Sequence, residues 1–245
     1  MDSSAYIALS RLSAQQRNVD TIAANLANSG TPGFKANRMI FDEWIARSGG
    51  ADRPGARAVA YVQDRATYRD QAAGRLARTD NPLDLAISGD GFFVIDTPRG
   101  ERYTRSGRFT LAPDGRITTS EGYTLLSSEG KPLVVTEQDT RLSVAADGTL
   151  ESENGPLGKI RLVSFDDKNQ LKPEGQVLFA ANGPARAAEG ARITQGMVEE
   201  SNVEPILEMT RLMGEVREFQ FVTQFVDAEA ERQSNAIERI TRRRS

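Results

Sequence analysis

A long hydrophobic repeat near the C-terminal end constrains this chain more than any other feature. From Met209, the positions Leu212, Val216, Phe219, Thr223, Val226, Ala230, Gln233, Ile237 and Ile240 follow at alternating steps of three and four. That spacing lines them along one seam of an α-helix, the pattern of a helix that packs lengthwise against another. Phe221, Val222 and Phe225 widen the apolar sector beyond the seam, so one partner helix cannot cover it and a second neighbour is implied. Asn202 reads as the N-cap, which places Pro205 at the third helical position.

A second amphipathic stretch, free of Pro and Gly, runs from Ser4 to Asn28. Ala5, Leu9, Leu12, Val19, Ala23 and Leu26 mark its seam, with polar Gln16 completing the series and Tyr6 and Ile22 broadening it. Such a helix would be roughly 37 Å long, with a stripe too narrow to hold it helical alone in water. The two helices are therefore expected to pair, and to order fully when neighbouring chains cover their remaining apolar faces. Asn28, Ser29 and Gly30 end the first helix. Thr31-Pro32-Gly33 then reads as a turn, followed by Phe34 as an apolar anchor.

Between these ends the pattern changes. From Pro82 to Ala181, short apolar runs such as Phe92–Ile95, Leu133–Val135, Leu142–Val144 and Ile160–Phe165 alternate with Gly and Asp turns, which predicts an all-β body rich in hairpins. FTLAPDGRI from Phe109 and LSVAADGTL from Leu142 each place an Asp-Gly pair between strand-like runs. Gly49, Gly50, Pro54 and Gly55 break up an extended connector, with one strand expected near Val59–Val62. The fold class is thus α+β: long terminal helices pairing as a coiled-coil-like core around an all-β central body. The divisions are residues 1–34 for the first helix and turn, 35–81 for the connector, 82–199 for the β body and 200–245 for the second helix.

Composition narrows the chemistry. The 245 residues include no cysteine and no histidine, which removes thiolate nucleophiles, disulfides, the usual general base near neutral pH and the commonest metal ligand. The lysines Lys35, Lys131, Lys159, Lys168 and Lys172 are scattered. Gly89-Asp90-Gly91 precedes a strand rather than a helix, so it is a turn and not a phosphate loop. Asp84 and Asp90 lack a recognisable catalytic partner, and Asp114 and Asp147 belong to turns. An enzyme is not expected, and no catalytic, cofactor-binding or metal site is assigned.

The formal net charge of −3 gives no bulk attraction to nucleic acid, and Arg239, Arg242, Arg243 and Arg244 read as a solvated helix end. No apolar run is long enough for membrane insertion. The opening residues lack the basic and apolar regions of a secretory signal, so export would need another route.

Three blocks carry a resemblance. ANLANSGTPGFK, with Asn25, Asn28, Thr31, Gly33, Phe34 and Lys35, resembles the N-terminal signature of the flagellar rod and hook family, although Ala24 stands where that signature usually has Asn. NPLDLAISGDGFFVI followed by YTRSGRFTL, with Asp84, Gly89, Gly91 and Phe92, is similar to its central signature, with Ser88 replacing a frequent Gln. ESNVEPILEM, with Ser201 and Asn202, resembles the entry to its C-terminal helix.

The resemblance implies a structural subunit of the basal-body rod, exported from the cytoplasm through the flagellar export apparatus to the periplasmic section of the rod. Its partners would be other rod subunits and copies of itself, with no cofactor. It points most closely to the proximal rod. A distal rod or hook-type axial subunit is the nearest alternative, and a monomeric surface binding module is the alternative of another class. The residues expected to carry assembly are Leu9, Leu12, Val19, Ile22, Leu26, Phe34, Met209, Leu212, Val216, Phe219, Phe221, Phe225 and Val226.

Overall fold

The computed structural model describes residues 3–47, 58–167 and 171–242. Gly49, Gly50, Pro54, Gly55, Lys168, Arg243 and Arg244 lie outside the described residues, as do the side chains of Ala5, Tyr6, Gln233, Ile237, Arg239, Ile240 and Arg242. The chain divides into two units. One gathers Met1–Ala27, Asn37–Tyr68 and Glu204–Ser245; the other comprises Asn28–Ala36 and Arg69–Val203.

In the first unit, helix α1 spans Ser3–Ala27, strands β1 (Asn37–Arg47) and β2 (Ala58–Arg69) form a two-stranded sheet, and helix α2 spans Pro205–Arg242. The connector therefore contains two long strands where the sequence suggested one short one. α1 and α2 pack antiparallel: Arg11 pairs with Glu218, and the Asn18 side chain, farther along α1, bonds Glu215, earlier in α2. The packed face of α2 runs through Glu208, Leu212, Glu215, Phe219, Val222 and Val226, again at alternating steps of four and three. It is rotated from the expected seam. Val222 is buried, whereas Met209 and Val216 face outward, because Glu208 and Glu215 are drawn inward by polar partners on α1 and β1.

The start of α2 also differs from expectation. Pro205 is the first helical residue, where its missing N–H costs nothing and its fixed φ suits the helix. Asn202 does not cap it. Its Oδ1 instead accepts the Ala36 amide at 2.8 Å, and its Nδ2 donates to the carbonyls of Asp70 and Ala72.

The second unit is the β body. Its strands are β3 (Leu76–Arg78), β4 (Leu85–Ser88), β5 (Phe92–Thr97), β6 (Gly100–Thr104), β7 (Thr110–Leu111), β8 (Ile117–Thr118) and β9 (Thr124–Leu125). They continue with β10 (Leu142–Val144), β11 (Thr149–Ser152), β12 (Gly155–Lys159), β13 (Leu162–Ser164), β14 (Leu171–Glu174) and β15 (Leu178–Ala181). The last are β16 (Arg186–Ala187), β17 (Arg192–Gln195) and β18 (Met197–Glu199). A nine-stranded sheet runs β14-β15-β6-β5-β9-β8-β7, with β13 and β16 off that path; β10-β11-β12 form a separate sheet, and β17 pairs with β4 and β18 with β3.

β5 organises the core by simple alternation. Phe93 and Ile95 point into a cluster with Leu85, Phe109, Leu125 and Leu150, whereas Phe92 and Val94 point into a second cluster with Tyr103, Phe165, Leu171 and Phe179. Phe93 meets Phe109 edge to face at 5.2 Å, and Phe92 meets Phe179 at 5.7 Å. Each fully buried Phe or Ile contributes about 1.5–3 kcal/mol before chain entropy is counted. The expected strand at Leu133–Val135 is absent: Leu133 and Val135 enter the core, but Val134 makes only an isolated bridge to Arg116.

Candidate assembly surface

The expected assembly residues fall into three groups. Leu9 (63% exposed), Met209, Val216, Phe221 (71%) and Phe225 (56%) lie on the outside of the helices. Leu12, Val19, Leu26, Leu212, Phe219 and Val226 are half-buried, and Ile22 is buried. Phe34 is also inside. Only 2% exposed, it packs with Ala36 and Val203 in the body, and the Arg69 guanidinium stacks over its ring at 5.8 Å.

α2 exposes more apolar surface than the seam suggested. Ile206, Met209, Met213 and Val216 repeat at steps of three, four and three, which makes one stripe beside the packed face. At 100° per residue, Phe221 and Phe225 fall on the other side of the helix, near its middle. A helix packed on α1 thus presents two further apolar faces at different levels. Beside it, α1, β1 and α2 enclose a polar cleft of about 550 Å³ lined by Asn18, Asn37, Arg38, Arg211, Gly214 and Glu215. Burial and the nearby Glu218 carboxylate raise the pKa of Glu215.

The signature residues hold local backbone within each unit rather than expose apolar surface. Asn25, 1% exposed on α1, clasps the backbone of Asn37 twice, accepting its N–H at 2.8 Å and donating to its carbonyl at 2.9 Å. Asn28 and Thr31 open the turn, and the Phe34 amide donates to the Thr31 carbonyl across it. Gly33 takes φ 71° there, and a Cβ would lie 2.3 Å from the Ser106 nitrogen, so only glycine fits. The Gly89 and Gly91 carbonyls both accept from Arg105, which makes the loop a cradle for a guanidinium and not for an anion. Asp84, 3% exposed, accepts from Asn81, and Ser201 accepts the Val203 amide.

Two buried ion clusters were not foreseen. In the body, the Glu199 carboxylate meets the Lys35 amine at 2.5 Å and the Arg105 guanidinium at 2.9 Å, and accepts the Gly74 amide. Lys35 and Glu199 are each 1% exposed, and burial lowers the Lys35 pKa even though Glu199 pulls it back up. In the helical unit, Glu208 Oε1 accepts from both Arg38 and Arg211 at 2.7 Å. Its Oε2 has no hydrogen-bond partner among the described residues. Lys35 lies within the first signature block, yet nothing in sequence spacing pairs it with a glutamate in the last.

Among the described residues no group of carboxylates could hold a metal ion, and no helix is long and apolar enough to cross a membrane. Three family models match: "Flagella basal body rod protein" at residues 6–35, "Flagellar hook protein FlgE/F/G D1 domain" at 86–152, and "Flagellar basal body rod FlgEFG protein C-terminal" at 194–239. Flagellar basal-body rod protein FlgF of Mesorhizobium japonicum is 36% identical, with 98% of each chain covered. FlgF of Caulobacter vibrioides is 34% identical, again with 98% of each covered. Flagellar basal-body rod protein FlgG of Buchnera aphidicola is 30% identical, with 89% of this chain and 92% of that one covered. By the signature residues whose structural work is now visible, and by relatives aligned over nearly its whole length, the chain belongs to the flagellar basal-body rod protein family and is a structural subunit of the rod.

Proposed function

We propose that this subunit polymerises through α1 and α2, with copies of itself and other rod subunits covering the outer faces of the two helices. The observation that carries this reading is the pair of exposed apolar stretches on α2, Ile206–Val216 and Phe221–Phe225, on a helix whose inner face is already occupied by α1. Apolar surface at three azimuths, one packed on α1 and two exposed, suits a helix with neighbours on several sides. The first group of assembly residues supplies contacts between chains; Ile22 acts within the helical unit and Phe34 within the body.

The position is proximal in the rod, on the ground that the FlgF proteins of Mesorhizobium japonicum and Caulobacter vibrioides align at higher identity and over more of the chain than the FlgG of Buchnera aphidicola. The subunit reaches the periplasmic part of the basal body through the flagellar export apparatus and lines an axial shaft and channel. Replacing Phe221 and Phe225 with Ser in the full chain tests this. Loss of the subunit from purified basal bodies, with the monomer still folded, is expected; normal incorporation would overturn the reading.

A further inference from the structure

Both buried clusters join a cation near the start of the chain to a glutamate near its end. Lys35 meets Glu199 across 164 residues, and Arg38 meets Glu208 across 170. Each glutamate is at most 1% exposed, so each pairing takes a charge fully out of water. A buried charge left without its counterpart opposes docking far more strongly than a missing surface pair.

The ties of the neighbouring backbone follow the same direction. Gly33 donates to the Glu199 carbonyl, Gly74 to its side chain, Ala36 to Asn202, and Glu200 donates to the Arg75 carbonyl. β18 then pairs with β3. Segments 33–36 and 70–78 thus find most of their partners in residues 197–202. By contrast, the central β5–β6 hairpin is joined through neighbours in sequence, with Thr97 opposite Gly100. Asp70 also favours the charged Lys35 amine, but it forms no ion pair with it.

We propose that Glu199 is a closing group that imposes a folding order, keeping the N-terminal segment around Lys35 undocked until the C-terminal residues are in place. A chain that emerges with its N-terminus first would therefore not lock that segment before the body is complete. The device rests on the fold alone and does not depend on where in the rod the subunit sits.

Pulse-labelled hydrogen exchange during refolding of the full chain tests the order. Amides of β5 and β6 should gain protection in an earlier phase than those of Gly33, Gly74 and Glu200; protection of Gly33 and Gly74 in the same or an earlier phase would overturn the proposal. A second arm tests the cause. Glu199→Gln should speed native-state exchange at Gly74 by about a hundredfold or more, since it strands a buried cation. Adding Lys35→Met should recover at least tenfold of that protection, or restore a folded state if the single variant has none. Exchange unchanged in Glu199→Gln, or no recovery in the double variant, would also overturn it.

Discussion

Arg38 donates to Glu208 Oε1 across 2.7 Å and fastens the second residue of β1 to the first turn of α2. Glu208 gains from the helix N-terminus as well, where the exposed amides favour negative charge. The partners are unequal. Glu208 is buried, whereas Arg38 and Arg211 keep 28% and 44% of their side chains exposed. Removing Arg38 leaves the buried carboxylate with Arg211 alone; removing the anion releases two arginines that can reach water. Arg38→Ala should therefore destabilise the helical unit by about 2–3 kcal/mol, and Glu208→Met by about 1 kcal/mol or less. Denaturant unfolding followed by helical circular dichroism measures the difference, and the reverse ranking would refute the asymmetry.

Val222 and Phe221 are adjacent in sequence and opposite in role. Val222→Asp places a charge at an 8% exposed position against α1 and should separate the helices in the monomer. Phe221→Ser, at a 71% exposed position, should shift monomer stability by no more than about 0.5 kcal/mol. Thermal unfolding of the two variants side by side reads this directly.

The β10–β11–β12 sheet is stapled by carboxylates. Glu153 accepts from the Thr140 hydroxyl and the Thr140 and Arg141 amides, which pulls its pKa down to about 2. Asp139 is pulled below the usual carboxylate range by Ser152, Thr136 and Asn154. Because the folded pKa lies below the unfolded one, the stabilisation is complete above the ordinary glutamate value and is lost as pH falls towards 2. Protection of the Thr140 and Arg141 amides should therefore weaken between about pH 4.5 and 2. Thr140→Ala should raise the Glu153 titration midpoint, read by carboxyl NMR.

Glycines in the body are not equivalent. A Cβ at Gly107 would lie 1.5 Å from the Leu85 carbonyl oxygen, so Gly107→Ala must push two backbones apart and should cost upwards of about 4 kcal/mol. At Gly122, φ is 85° but nothing lies within 4 Å of the added atom. There Gly122→Ala pays only for the left-handed backbone, about 1 kcal/mol. Comparing the unfolding midpoints of the two variants checks the ranking.

The helices were legible because their repeats are long, and β5 because FFVI alternates between two cores. The Thr31–Phe34 turn was legible because Pro fixes φ and Gly permits a positive one. β12 was not: Gly155–Lys159 holds a Pro and two Gly, and it is a strand only because β11 lies beside it. The rotation of the α2 seam was hidden for a similar reason. A hydrophobic repeat counts Glu208 and Glu215 as outward residues, yet both turn inward because polar partners elsewhere in the chain accept them. The burial of Phe34 is not legible beside its turn, because it depends on Val203 and Arg69, far away in sequence.

Asn202 binds the carbonyl of Asp70 at 2.9 Å after an excursion of 132 residues. The body thus begins and ends at one point, like a bead tied on by a single knot. The entropic cost of closing such a loop grows only with the logarithm of its length. A longer or shorter excursion could close on the same knot at little extra cost, which leaves the length of the body free to vary while the Asn202 contacts stay as they are.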